Sequence, residues 1–191
     1  MASTLPQYHY GKAWPHDARM GDIEMECFLI GLGNDGKGKG LGKYEHLKRA
    51  LYYRHPWIFE KTDQCPESSW NPWLAMQLKS LCDPRWDVKV GDTSVRFVSW
   101  TGCGAAGKTF ASGLFAHMWW RAAPMKSSVT LTSTSKQAIG QRVWPVIQRM
   151  HRESLSIKTG KPENFGNLVD SMKKLQAERG DDKHAIHALA V

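Results

Sequence analysis

Acidic residues are in short supply in this chain: 18 Asp and Glu stand against 26 Lys and Arg, a formal charge of +8. That balance leans toward a polyanionic partner without requiring one. Cysteine is scarce too. Cys27, Cys65, Cys82 and Cys103 are scattered and form no CxxC pair, which argues against a zinc ribbon and against a disulfide framework and fits a reducing, intracellular compartment. No apolar run approaches the ~18 residues of a membrane span. No basic-then-apolar leader opens the chain, and there is no internal repeat. Histidine is present eight times but does not cluster; His184 and His187 lie three apart with no evident third ligand, so exposed or packed histidines are the expectation.

The first 43 residues are polar and end in "GLGNDGKGKGLGK" (Gly31 to Lys43). Gly31, Gly33 and Gly36 there satisfy GxGxxG after the apolar "CFLI". A dinucleotide fingerprint needs a helix opening at its last glycine, with its N–H groups aimed at the pyrophosphate. Three more glycines follow, at 38, 40 and 42, and each opposes a helix. Residues 1–43 therefore read as a flexible basic segment.

From Tyr44 the texture changes, and 44–191 reads as one folded unit: a helical preamble over 44–90, then an α/β core over 91–191. "YEHLKRALYYRH" carries Leu47 and Leu51 at helical spacing and stops at Pro56. In "WNPWLAMQLKSLC", Asn71 can cap a helix with Pro72 in its first turn, and Trp73, Met76, Leu78 and Leu81 are expected to make its apolar contacts. "SVRFVSW" (Ser94 to Trp100) is strand-like. "KTFASGLFAHMWWRA" has Phe110, Leu114, Phe115, Met118 and Trp119 at helical spacing. "SVTLTST" is a second strand. "KQAIGQRVWPVIQRMH" is a second helix, with Ile139, Val143, Ile147 and Met150 on one side and a kink expected at Pro145. "KHAIHALAV" closes as a third strand. Strand, helix, strand, helix is the order of a parallel α/β sheet.

Between the first strand and its helix lies "TGCGAAGKTF". Gly102, Gly107, Lys108 and Thr109 satisfy G-x-x-x-x-G-K-[ST]. Glycines let successive N–H groups turn inward, and the helix N-terminus adds partial positive charge. In such a loop Gly102, Cys103, Gly104, Ala105, Ala106 and Gly107 supply the cradle, Lys108 reaches the β- and γ-phosphates, and the Thr109 hydroxyl ligates Mg²⁺. The signal points to a nucleoside triphosphate, with ATP and Mg²⁺ the expected ligands, and says little about what its hydrolysis drives. A second metal-holding carboxylate is harder to find. The usual device is about four apolar residues ending in Asp or Asp-Glu on a later strand. "NLVD" reaches Asp170 after only two apolar residues, and "WIFE" reaches Glu60 ahead of the loop. The chain then stops at Val191 inside an apolar strand, so the expectation is the front part of a longer protein that binds ATP and hydrolyses it negligibly alone.

With these segments in hand, the chain resembles the ATPase part of a tailed-phage terminase large subunit, the motor that packages viral DNA. The resemblance runs from about Lys43 to the end, through "GLGKYEHLKRAL", "HPWIF", "WNPWLAMQ", "GCGAAGKTF", "SVTLTSTSKQAIGQRVWPVI" and "GNLVDSMKKLQAERGDDKHAIHALAV". The loop is shared with many ATPases; the later segments, with the step Arg142, Val143, Trp144, are what point to terminases. The resemblance implies a P-loop NTPase domain with a RecA-like parallel sheet, here incomplete at its C-terminus. It also implies a Walker B Asp-Glu pair and a nuclease domain, both absent from these residues. It implies double-stranded DNA as partner, a homo-oligomeric ring, portal protein and small terminase subunit as neighbours, and the cytoplasm of an infected bacterial host.

Carried over singly, Gln77 matches the glutamine that reads adenine in such motors, though an ordinary helix-surface glutamine is an equal reading. Many terminases place an arginine inside the loop; here Cys103, Ala105 and Ala106 stand there instead. Charge stabilisation would then come from Arg142 or a neighbouring subunit, with Arg142 as a solvated helix arginine the competing reading. Three other classes remain open: a helicase-like nucleic-acid-dependent ATPase, a small-molecule kinase, and a truncated remnant that binds nucleotide without catalysis.

Overall fold

The computed structural model describes residues 43–61, 69–82, 87–91, 93–96, 98–103, 106–122, 124, 127–156 and 159–190. Residues 1–42 of the segment expected to be flexible over 1–43, and Gly104 and Ala105 of the loop, lie outside the described residues; Lys43, expected to end that segment, instead opens the first helix.

In chain order the elements are α1 (Lys43–Arg54), α2 (Pro72–Cys82), β1 (Asp87–Val90), β2 (Thr93–Arg96), α3 (Lys108–Ala122), β3 (Val129–Ser133), α4 (Trp144–Arg152), β4 (Asn167–Val169), β5 (Lys174–Gln176) and β6 (Ala185–Ala190). The class is mixed α/β. Local chemistry sets several boundaries. Asn71 caps α2, its Oδ1 accepting the Leu74 N–H at 2.9 Å; Pro72 follows where a missing N–H costs nothing. Ser135 likewise accepts the Ala138 N–H at 3.1 Å. The single kinked helix expected over 136–151 is instead a short turn, Lys136–Ala138, a π-helical stretch, Ile139–Val143, and then α4 with Pro145 in its first turn. Proline donates no N–H and crowds the carbonyl four residues back, and a widened π turn relieves both.

The sheet has four strands in the order β3-β6-β5-β4. Among the described residues only β3 and β6 are parallel, from Val129 opposite Ile186 to Ser133 opposite Ala190; β6 with β5, and β5 with β4, are antiparallel. Loop length explains the mixture. The chain has room for α4 between β3 and β6, whereas β4, β5 and β6 follow one another closely, and a parallel connection needs a dozen residues or more. The strand expected to lead into the loop also differs. β2 ends at Arg96 and pairs with β1 in a separate antiparallel hairpin, turning at Gly91 with φ +61°. Residues 98–103 carry no strand. "VKV-GD-TSV" is a short-range hairpin pattern, and closing so short a loop costs little entropy.

Two apolar cores meet on α3. One joins it to α1 and α2 through Leu47, Leu51, Leu74, Leu78, Leu114 and Met118. The other joins it to α4 and the sheet through Trp120, Ile139, Trp144, Ile147, Leu175 and Ile186. A helix walled on both sides is apolar nearly all round, which is why α3 shows no clean polar face. Gly113 sets the α3–α4 spacing: a Cβ there would lie 2.6 Å from Val146 Cγ1. The expected face of α2 holds at Leu78 and is corrected at Trp73 and Met76. Trp73 and Met76 point outward, 66% and 54% exposed, while Leu74, Gln77, Leu78 and Cys82 are buried. Of the adjacent tryptophans, Trp120 is in the core and Trp119 is on the surface, stacked on Phe115.

Candidate nucleotide-binding loop

Lys108 opens α3, a helix of 15 residues, and the glycines on either side of the loop hold the backbone that non-glycine residues avoid. Gly107 has φ +75° and Gly102 φ +156°. The Lys108 ammonium folds back over its own loop, Nζ donating to the Gly102 carbonyl at 3.1 Å and the Cys103 carbonyl at 2.7 Å. Gly102, Cys103 and Gly107 are exposed, as is Thr109 beside Lys108 on the first turn of α3. The motif residues that the structure describes are thus brought together at a helix N-terminus, with a positive charge and partial dipole charge facing solvent.

A Mg²⁺ ion bridging such a site would neutralise phosphate charge. Among the described residues no group of three or more His, Cys, Asp or Glu is placed to hold a metal. The exposed Thr109 hydroxyl fits a metal held mainly by phosphate oxygens, and it is the protein group that would bind it.

The loop is fastened to α2 at both ends. Gln77 is buried, and its Nε2 donates to the Ala106 carbonyl at 3.2 Å; its Oε1 is buried without a partner. One turn on, Ser80 Oγ accepts the Trp100 indole N–H at 2.9 Å and donates to the Gln77 carbonyl at 2.7 Å. Sequence reasoning singled out Gln77 as a residue facing a ligand or solvent. In the structure its amide faces the loop backbone. Ser80 and Trp100 were missed, and no spacing rule links a helix serine to an indole 20 residues later.

Arg142 lies on the exposed side of the π-helical stretch, and no hydrogen bond or ion pair joins it to the described part of the loop. The two carboxylates weighed above fall in different places. Glu60 is exposed. Asp170 follows β4 and accepts from Trp144 Nε1 at 2.6 Å, Gln148 Nε2 at 2.8 Å and Lys173 Nζ at 3.1 Å. The Trp144 and Lys173 hydrogen bonds hold its carboxyl below the usual carboxylate range, so it stays an anion bound to α4.

A cavity of about 140 Å³ adjoins the loop. It is lined by Trp73 and Leu74 of α2, Phe110 of α3, Ala106 and Gly107 of the loop itself, and Ser69 and Asn71. Comparison with protein-family models, with curated proteins and with solved structures returned no match. No helix among the described residues is long and apolar enough to cross a membrane.

Proposed function

We propose that this chain binds ATP with Mg²⁺ at residues 102–109, as the nucleotide-binding part of a P-loop ATPase with a RecA-like sheet that drives DNA packaging. The observation that carries the nucleotide reading is Lys108. It sits at the N-terminus of a long helix, and its charge is held by two loop carbonyls that a polyphosphate would outcompete, because a charge-assisted bond to phosphate is stronger than one to a neutral carbonyl. In this reading Gly102, Cys103, Gly104, Ala105, Ala106 and Gly107 offer backbone N–H groups to the phosphates, and Thr109 holds the metal. Gln77 and Ser80 keep the loop in position. Phosphoryl transfer depends on positioning and charge stabilisation more than on covalent help; Arg142, exposed on the π-helical stretch, is the candidate to add charge in a larger assembly.

The packaging-motor reading rests on the terminase-like segments and on the +8 charge, which suits a DNA partner. A ring of copies, portal protein and small terminase subunit, in the cytoplasm of an infected bacterium, complete that reading. Titration calorimetry with Mg-ATP tests the nucleotide part. Lys108→Ala is expected to weaken binding by at least about tenfold, the loss of one charge-assisted contact. Equal affinity for the two proteins refutes it.

A further inference from the structure

The cavity beside the loop has a size and a wall chemistry that bear on which nucleotide enters. Its volume of about 140 Å³ is close to the about 150 Å³ that accommodates one benzene ring in an engineered protein core. Two of its walls are aromatic, Trp73 and Phe110. Trp73 is 66% exposed and stands on the first turn of α2, so one face of the indole is open. Ala106 and Gly107 belong to both the cavity and the loop, so a ligand with phosphates on the loop can place a ring there.

Asn71, the one amide side chain at this cavity among the described residues, is largely engaged. Asn71 Oδ1 accepts the Leu74 N–H and its Nδ2 donates to the Ser69 carbonyl at 3.4 Å. What remains on side chains of the described residues lining it is the Ser69 hydroxyl and one amide hydrogen of Asn71. Telling adenine from guanine requires a matched donor and acceptor on one base edge, as a free Asn or Gln amide provides. Gln77, which could have supplied that pair, has its amide hydrogen-bonded to the Ala106 carbonyl and does not line the cavity. Sites that bind by apolar contact discriminate weakly, whereas sites built to hydrogen-bond a group reject its absence strongly.

We propose that Trp73 and Phe110 form a stacking slot for the base of a nucleoside triphosphate, and that this slot accepts purine and pyrimidine bases with little preference. Stacking on an aromatic side chain is tolerant of base identity because every base has a π face. The inference rests on the nucleotide reading of the loop, and the two can fail separately. The probes are ATP, GTP, CTP and inorganic triphosphate, each displacing a ribose-labelled fluorescent ATP from the full chain in Mg²⁺. ATP, GTP and CTP are expected to bind within about tenfold of one another, and triphosphate about tenfold or more weaker, from the lost stacking. Trp73→Ala is expected to weaken all three nucleotides by about tenfold and to leave triphosphate unchanged; the exposed position of Trp73 keeps the fold intact, which far-UV circular dichroism checks. An ATP preference over GTP beyond a hundredfold, or nucleotide binding indifferent to Trp73→Ala, overturns the slot while triphosphate binding sustains the loop. Failure of triphosphate and nucleotides alike to bind overturns both.

Discussion

Replacing Glu163 with Gln should cost this fold a substantial part of its stability, although the residue lies far in sequence from the loop. Arg54 and Arg121 are both buried, at 0% and 1% exposure, and both reach the same carboxylate: Arg54 Nη1 lies 3.3 Å from Oε2 and Arg121 Nη2 lies 3.6 Å from Oε1. Arg54 also donates to Ser154 Oγ at 3.3 Å, Ser154 hydrogen-bonds the Glu163 carbonyl, and Arg121 lies over the Phe165 ring at 4.3 Å. The amide of glutamine keeps the shape and removes the charge. Breaking a buried ion pair from one side costs about 3–5 kcal/mol. Glu163 is about one-third exposed, and solvent screening reduces that figure, so about 2–3 kcal/mol is the expectation. Against a total of about 5–15 kcal/mol for a native domain this is large, and for a chain of this length it lowers the melting midpoint by roughly 5–10 °C. Differential scanning calorimetry at pH 7.5 reads it directly. A midpoint within 1–2 °C (roughly the shift of 0.5 kcal/mol) would show that the two arginines do not depend on this carboxylate.

Acid should also unfold the protein early. Burial, aided by neighbouring Arg54, holds the His55 imidazole well below its ordinary range; burial, then His55 and Arg121, do the same to His117. The folded state therefore refuses protons that the unfolded chain accepts near pH 6.5. Stability is full above that pH and falls as pH drops below it, by up to about 1.4 kcal/mol per pH unit for each histidine. Thermal melts from pH 7.5 to 5 should show the fall, and a flat profile would contradict it; His117→Phe should flatten the slope. Gly113→Ala should destabilise by about 1 kcal/mol in urea unfolding. Alanine favours a helix by about that amount, but its methyl would meet Val146 Cγ1 at 2.6 Å, a stiff β-branched side chain that cannot swing away. Gly140→Ala, with nothing within 4 Å of its Cβ, is the control and should be neutral or stabilising; equal losses at the two sites would remove the packing argument.

The sequence by itself determined what depends on neighbours along the chain. Asn71 and Pro72 start α2 because a cap and a first-turn proline act within one turn of helix. Leu47 and Leu51 mark the buried side of α1, and Gly107-Lys108-Thr109 place a glycine turn at the head of α3. The apolar run at 185–190 forms a strand for the same local reason. What only the tertiary structure decided depends on groups far apart in sequence. Leu78 was legible as a buried position, but the spacing of Trp73 and Met76 suited the same apolar face; the packing of α2 on α3 chose Leu74 and Leu78 and left Trp73 beside the loop. Gln77 became a partner of the loop because α2 lies under Ala106, 29 residues on. Arg54 and Arg121 read as surface residues by type, since charged side chains are rarely buried. They are inside because folding brings Glu163 to both and Ser154 to Arg54, partners 100 and 109 residues after Arg54 in the chain, and a buried charge persists where such a partner arrives with it.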